Sequence, residues 1–433
     1  MELKKTARID LLKERMLSQP RYVSMEQAMI ITRAYQRHEE EPVILKRAYA
    51  LHDALCELEI GIEPQELIVG NRTKGVRYGV VFPESGISWV DQELETLPTR
   101  PQDKFLVRPE DVQTFREVIK PYWKGKSLED VLKKRYGKEI SALSTVVKIN
   151  QKDHAQGHIC PNVREWLEKG PAGLKEEAQQ HLLDCKEEQR PFYESILLVM
   201  DGVCRFLMRY HDELQKEAKQ HPDWKQDMIE TAEICKALSK RPAETFHEAV
   251  QSMWILFVVL HMESNASSFS PGRLDEILYP YYRKDRELGR LDAQRALDII
   301  ECLWLKFNQI VYLRNKNSAK YFAGFPIGFN IAVGGQDVHG EDVCNELSFL
   351  FLLAQEHIGL PQPNLSVRLH RGTGDALLKK AVRVVAKGSG MPQFFNDEAI
   401  IAELEKLGIS HQDAMDYAIV GCVELTTQGN NLG

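Results

Sequence analysis

Apolar positions along the 433-residue chain follow two different periods. Over the first half they recur every three to four residues, which predicts helices. Ser24 with Gln27 reads as a capping box ahead of "AMIITRAYQRH". "EPVILKRAYALHDALCELEI" predicts a second helix with Pro42 near its first turn. "PQELIVGNRTKGVRYGVVFPESG" carries β-type residues broken by glycines, so short strands and loops are expected there. Between Asp103 and Val147 the amphipathic helical pattern returns in "PEDVQTFREVIKPYW" and "SLEDVLKKRYG". Gly173 to Lys219 predicts one or two long helices with a kink or break at Pro191. A further helix runs through "ETFHEAVQSMWILFVVLHMES". Its apolar centre, Met253 to Met262, is too short to span a bilayer and predicts a buried helix.

After Gly324 strand-like runs alternate with helices. "GFNIAVGG", "DVCNELSFLFLLAQEH", "PNLSVRLHR", "ALLKKAVRVVAKG", "PQFFND", "AIIAELEKLG" and "YAIVG" follow one another. Strand–helix–strand alternation with helices of this length predicts βαβ units, hence an α/β protein with a parallel sheet or barrel. No repeat, low-complexity tract or linker divides the chain, so one compact unit with a helical N-terminal layer is expected.

Composition narrows the function classes. The chain is 43% hydrophobic and 27% charged, with a formal net charge of -7, as expected of a soluble globular protein. That balance gives no electrostatic reason to expect nucleic acid or an anionic membrane as partner. A mildly acidic enzyme acting on small molecules fits better. The eight cysteines are scattered without a CxxC or CxxxC pair, so no dedicated metal site is expected. "MELKKTARIDLLKERMLSQPRY" is charged throughout and unlike a signal sequence, so cytoplasmic, reduced thiols are expected.

Candidate chemistry collects where apolar elements end, as it does in α/β folds. "DYAIVGCVELTTQGNNLG" delivers Cys422 and Glu424 to the tip of a buried-looking strand, ahead of small and polar residues that read as a flexible stretch. A thiolate nucleophile would want a neighbouring cation, and His411, the nearest histidine in the local sequence, belongs to the start of the preceding helix. One-electron chemistry needs only a dry, shielded sulfur within hydrogen-atom reach of a ligand, with Glu424 handling the proton. Ser267 and Ser268 in "HMESNASSFSPGRLDEILYPYY" are candidate donors to a substrate hydroxyl or carboxylate. Phe325 in "SAKYFAGFPIGFN" would set an aromatic at a strand mouth, and His158 in "NQKDHAQGHICPN" is a candidate proton donor to a leaving group. Asn396 and Asp397 in "GMPQFFNDE" read as loop structure supporting the cysteine turn.

Taken together, "EPVILKRA", "QELIVGNRT", "PTRPQDKF", "ESNASSFSPGRLD", "KYFAGFP", "LPQPNLSVR", "MPQFFNDE" and "VGCVEL" resemble, in order, segments of the glycyl radical enzymes. That family contains pyruvate formate-lyase and the B12-independent diol dehydratases, and the chain looks most like its pyruvate formate-lyase-like members near the dehydratases. The resemblance implies the first part of a ten-stranded α/β barrel, with residues of about 1–150 as a helical outer layer and 151–433 as the barrel half ending in the cysteine loop. It implies that Cys422 forms the thiyl and that Glu424 is the general base. His158 would help polarise a departing hydroxyl, while Ser267, Ser268 and Phe325 fall on substrate-contacting positions. Ser267 stands where the diol dehydratases have a histidine, and Phe325 where a tyrosine is common, so weaker and less selective binding of a diol is expected. Gly421 and Val423 flank Cys422, without the adjacent second cysteine of pyruvate formate-lyase; formate acetyltransferase is the alternative activity.

The implied reaction is thiyl-mediated cleavage of a C–O or other C–X bond in a small hydroxylated substrate, under anaerobic conditions. The implied radical sits on a glycine outside these residues, with no bound metal, and is installed by an S-adenosylmethionine-dependent iron–sulfur activating enzyme as a transient partner. A homodimer is also implied. Members of the family continue past the position of Gly433 to a Gly-x-His-Asp segment and a glycine loop. The sequence is therefore expected to be an N-terminal part or half of a split enzyme, inactive alone; a catalytically silent paralogue is the other alternative.

Overall fold

The computed structural model describes residues 3–147, 155–322 and 327–430. Two short parallel pairs come first along the chain. β1 (Val23–Ser24) pairs with β2 (Gly79–Val80), and β3 (Ala155–Gln156) with β4 (Ala266–Ser267). A parallel sheet follows, with β5 (Asn330–Gly334), β6 (Asn364–Leu369) and β7 (Gln393–Asn396) side by side in that order. Parallel neighbours need a crossover, and the helices Glu346–Ile358 and Asp375–Val385 supply the two. Every residue of β5 is buried and all of β6 but its last. This is why "NIAVG" and "NLSVR" lack the alternation of a half-exposed strand. β7 alternates because it lies at the edge. β8 (Tyr417–Val420) and β9 (Glu424–Thr427) close the described chain as an antiparallel hairpin.

The helix Phe246–Glu263 is apolar on nearly every side, so it is buried on nearly every side. A capping box of Thr245 with Glu248 starts it. Trp254 meets Phe307 edge-on at 5.5 Å, and Phe307 lies 4.8 Å from Phe329, the residue before β5. One apolar core therefore joins helix and sheet, and it runs from Ile9 in the first helix to Val384 behind the sheet. Among the described residues no helix is long and apolar enough to cross a membrane.

Two sequence expectations are corrected. Ser24 does not cap a helix: it pairs with Val80, and the helix Glu26–Arg37 starts from Met25 without a side-chain cap. Gln27 is instead buried, donating at 2.8 Å to the Met262 carbonyl at the end of the central helix. Two long helices do meet just ahead of Pro191: Val163–Asp184 ends there, and Arg190–Glu217 starts with Pro191 in its first turn, where its missing N–H is no loss. A further interruption falls at Gly170, which has φ +62° inside the Val163–Asp184 segment. The stretch after Cys422 is also not loose, because Glu424–Thr427 pairs back onto β8.

The base of this hairpin is gripped by two buried guanidinium groups. Arg368 on β6 makes a two-pronged pair with Asp397 at 2.9 and 3.0 Å, both side chains being wholly buried. It also donates to the carbonyls of Met415 and Tyr417, both at 2.9 Å, and lies 3.9 Å over the Tyr417 ring. Tyr417 in turn donates its hydroxyl to Asp397 at 2.7 Å. Arg273 holds Asp416 at 2.7 Å, and its backbone N–H donates to Gln428 Oε1 at 2.9 Å. Asp397→Asn strands a buried cation, so urea denaturation should show a loss of about 3–5 kcal/mol, and the double variant Arg368→Met with Asp397→Leu should recover most of it.

Candidate active site

β8 is short and apolar, and it ends at Gly421 because the chain must turn there with φ +59°, a conformation that glycine adopts without penalty. The turn is held from behind. Asn330 and Asn364 are register partners heading β5 and β6, and both donate side-chain amides to the Gly421 carbonyl, at 3.1 and 2.8 Å. Ser366 donates to Asn330 Oδ1 at 2.8 Å, and the Asn330 N–H donates to Ser270 Oγ at 3.1 Å. All of these groups are buried, where an unmet amide would be costly, so the ladder fixes one position for the turn. Sequence reading missed Asn330 and Asn364. Their signal was an asparagine at the head of each of two buried strand-like runs.

At the tip, Glu424 folds back so that Oε2 accepts from the backbone N–H of Cys422 at 2.8 Å and of Val423 at 3.0 Å. Partial burial works against its charge. The N–H groups of Glu424, Val423 and Cys422, and then His158, outweigh that and hold the carboxyl below its usual range. The Cys422 thiol moves the other way, pushed up by burial and then by the Glu424 charge. A neutral thiol beside an ionised carboxylate results. His158 Nε2 stands 4.0 Å from Glu424 Oε1, whereas His411 pairs with Glu405 at 2.6 Å on an exposed helix and takes no part.

His158 and Ser268 reach the tip through unusual backbone, with φ +46° and +67°. Non-glycine residues seldom adopt such angles unless the surroundings enforce them. The enforcement is visible. The N–H groups of Gly157 and His158 donate to the Ser267 carbonyl at 2.9 and 3.1 Å, and that of Ser268 donates to Ile327 O at 2.9 Å. A Cβ at position 157 would stand 2.4 Å from the Ser267 carbonyl oxygen, so only glycine permits this approach. The outcome is convergence. A Cβ built on Gly421 would lie 2.8 Å from Glu424 Oε2, 3.0 Å from His158 Nε2 and 3.0 Å from Ser268 Oγ.

The structure therefore gathers Glu424, His158 and Ser268 around the turn that carries Cys422. Ser267 is buried next to them and contributes its carbonyl to the fold of the His158 loop. Phe325 lies outside the described residues. Asn396 caps the helix Asp397–Lys406 through the Ala399 N–H at 3.2 Å, and Asp397 supports the hairpin through Arg368. One expectation fails: the Cys422 side chain is not shielded but exposed, as are Val423 and Glu424. β9 returns beside β8 and leaves the three-residue loop projecting, with only its Gly421 base buried. No group of three or more His, Cys, Asp or Glu among the described residues is arranged to hold a metal ion.

The family model described as pyruvate formate lyase-like matches residues 3–433. The isethionate sulfite-lyase of Nitratidesulfovibrio vulgaris is 31% identical over 425 residues, covering 93% of this chain and 51% of its own. The glycerol-bound B12-independent glycerol dehydratase from Clostridium butyricum superposes with a TM-score of 0.93 at 33% identity, over 99% of this chain and 56% of that one. A structure describing 1,2-propanediol dehydration in Roseburia inulinivorans gives 0.96 at 34% identity, over 100% and 56%. The chain spans about half the length of the relatives it matches. Its fold is the α/β fold of those neighbours, and the chain belongs to the pyruvate formate lyase-like family of glycyl radical enzymes.

Proposed function

We propose that this chain carries the thiyl cysteine and general base of a glycyl radical lyase that breaks a C–O or other C–X bond in a small hydroxylated substrate. The observation that supports it is the convergence of Glu424, His158 and Ser268 on Gly421, the residue before Cys422. The family's glycine radical supplies the removal of a hydrogen atom from a thiol. A neutral thiol fits that chemistry better than a thiolate, and burial and Glu424 both favour the neutral form of Cys422. The sulfur of Cys422 then takes a hydrogen atom from the substrate carbon that bears the hydroxyl. Glu424, held ionised by backbone N–H groups, accepts the hydroxyl proton, and the leaving group departs from the adjacent carbon with its bonding electrons. His158 gives that group its proton, Ser268 orients the substrate with a hydrogen bond, and Cys422 returns the hydrogen atom to the product.

The relatives' names include a sulfite-lyase and a glycerol dehydratase, so X covers water and other leaving groups. Acyl transfer is disfavoured, since Gly421 and Val423 bring no second sulfur to the tip. Ser267 and Phe325 belong to the substrate contacts in this reading. The reading requires the exposed tip to be shielded from water and oxygen during turnover. It also assigns residues 1–433 to one domain, with about 1–150 as outer layer. An S-adenosylmethionine-dependent iron–sulfur activating enzyme, a homodimer and an anaerobic cytoplasmic setting complete it.

Activated anaerobically and screened over small diols, hydroxylated amino acids and sulfonates, the complete enzyme should lose all turnover as Cys422→Ser while keeping its circular dichroism spectrum. Residual activity would remove the sulfur from the mechanism. Glu424→Gln should slow the reaction by about 10²–10⁴-fold. The same variant supplies a test on the chain alone. Removing the negative charge lowers the Cys422 pKa, so iodoacetamide should alkylate Cys422 faster at fixed pH, with the midpoint of the pH–rate curve shifted down. Gly421→Ala should cost about 1–2 kcal/mol for the left-handed backbone and push Glu424, His158 and Ser268 apart, to be read from chemical shifts of the His158 ring.

A further inference from the structure

A cavity of about 220 Å³ lies where the end of the helix Ala7–Ser18 meets the loops around Asn308–Arg314 and Leu360–Pro361. Arg21, Arg77 and Arg314 line it, with Asp103 as the one carboxylate among the lining residues. Asp103 is already engaged, by Arg21 at 2.8 Å and by Arg100 at 3.5 Å. Arg314 stacks 5.1 Å over the ring of Tyr312.

Arg77 is the unusual member. It is half-buried, yet it pairs with no carboxylate among the described residues, and its Nη1 reaches only the Met16 carbonyl at 3.5 Å. Burial, and then the like charge of Arg21, work against its protonated form, and the nearby Asp103 charge offsets them only in part. Its backbone is held at φ +61°, an angle that strains any residue but glycine, with its N–H donating to Gln309 O at 2.9 Å. A strained residue presenting a partly desolvated guanidinium beside another is an arrangement that an anion would relieve.

We propose that this cavity binds a small organic oxyanion, a carboxylate or sulfonate on an apolar body. Arg77 and Arg21 take the charged end, because a guanidinium fork can donate paired hydrogen bonds to two oxygens of a carboxylate or sulfonate. Leu17, Leu360 and Pro361 take the body. Size agrees, since a closed cavity of about 150 Å³ already admits a benzene.

The test is isothermal titration calorimetry of the intact chain with sodium benzenesulfonate, with benzyl alcohol as neutral comparator and inorganic phosphate as the anion without a body. Benzenesulfonate should bind, more weakly as salt rises, with benzyl alcohol and phosphate each about ten-fold weaker or worse. Arg77→Gln should weaken it about ten-fold. Leu17→Glu places a negative charge on an exposed residue of the lining, leaves the fold intact and should weaken it as well. Absence of millimolar binding, equal binding of either comparator, or unchanged affinity in a folded Arg77→Gln or in Leu17→Glu overturns the proposal.

Discussion

Arg368 and Asp397 are both shut away from solvent, and each would be expensive to bury alone. Together they are satisfied, and the surplus hydrogen-bonding capacity of Arg368 goes to the carbonyls of Met415 and Tyr417, where β8 begins. The pair joins the end of β7 to β6 and β6 to β8, so the sheet and the hairpin cannot shift independently. Asn330 and Asn364 repeat the device one hairpin length away, at Gly421. A strand clamped at its root and at its turn has little freedom left, and that rigidity is what a reactive tip needs from its scaffold.

The strand–helix alternation after Gly324 was legible because fully buried parallel strands read as short apolar runs and their crossover helices as long amphipathic ones. The central helix was legible for the same reason. What period alone could not show was pairing that depends on distant chain. Ser24 follows a helix-start pattern, but Val80 claims its backbone first. "ELTT" reads as polar and loose, yet it pairs along β8, which supplies the apolar face. Cys422 and Glu424 could be found from their place after a buried strand. The asparagine and arginine clamps could not be ranked above other polar residues without knowing which carbonyls they face. The exposure of the tip was hidden too, since a sequence shows which residues can be buried but not whether anything lies over them.

The chemistry of the tip rests on an asymmetry between two side chains separated by one residue. Glu424 is stabilised as an anion by backbone N–H groups, which do not titrate and move only if the turn itself is remade. That same negative charge then disfavours a thiolate at Cys422. One carboxylate therefore biases two groups, staying ionised itself and holding the neighbouring sulfur toward the neutral thiol. A histidine on the cysteine would have reversed the second and made a nucleophile. His158 stands instead beside the carboxylate, 4.0 Å away. Environments that drive neighbouring groups apart in this way assign them different tasks. In the proposed reaction the division is between a proton and a hydrogen atom, and the turn at Gly421 draws Glu424, His158 and Ser268 around one point beside Cys422.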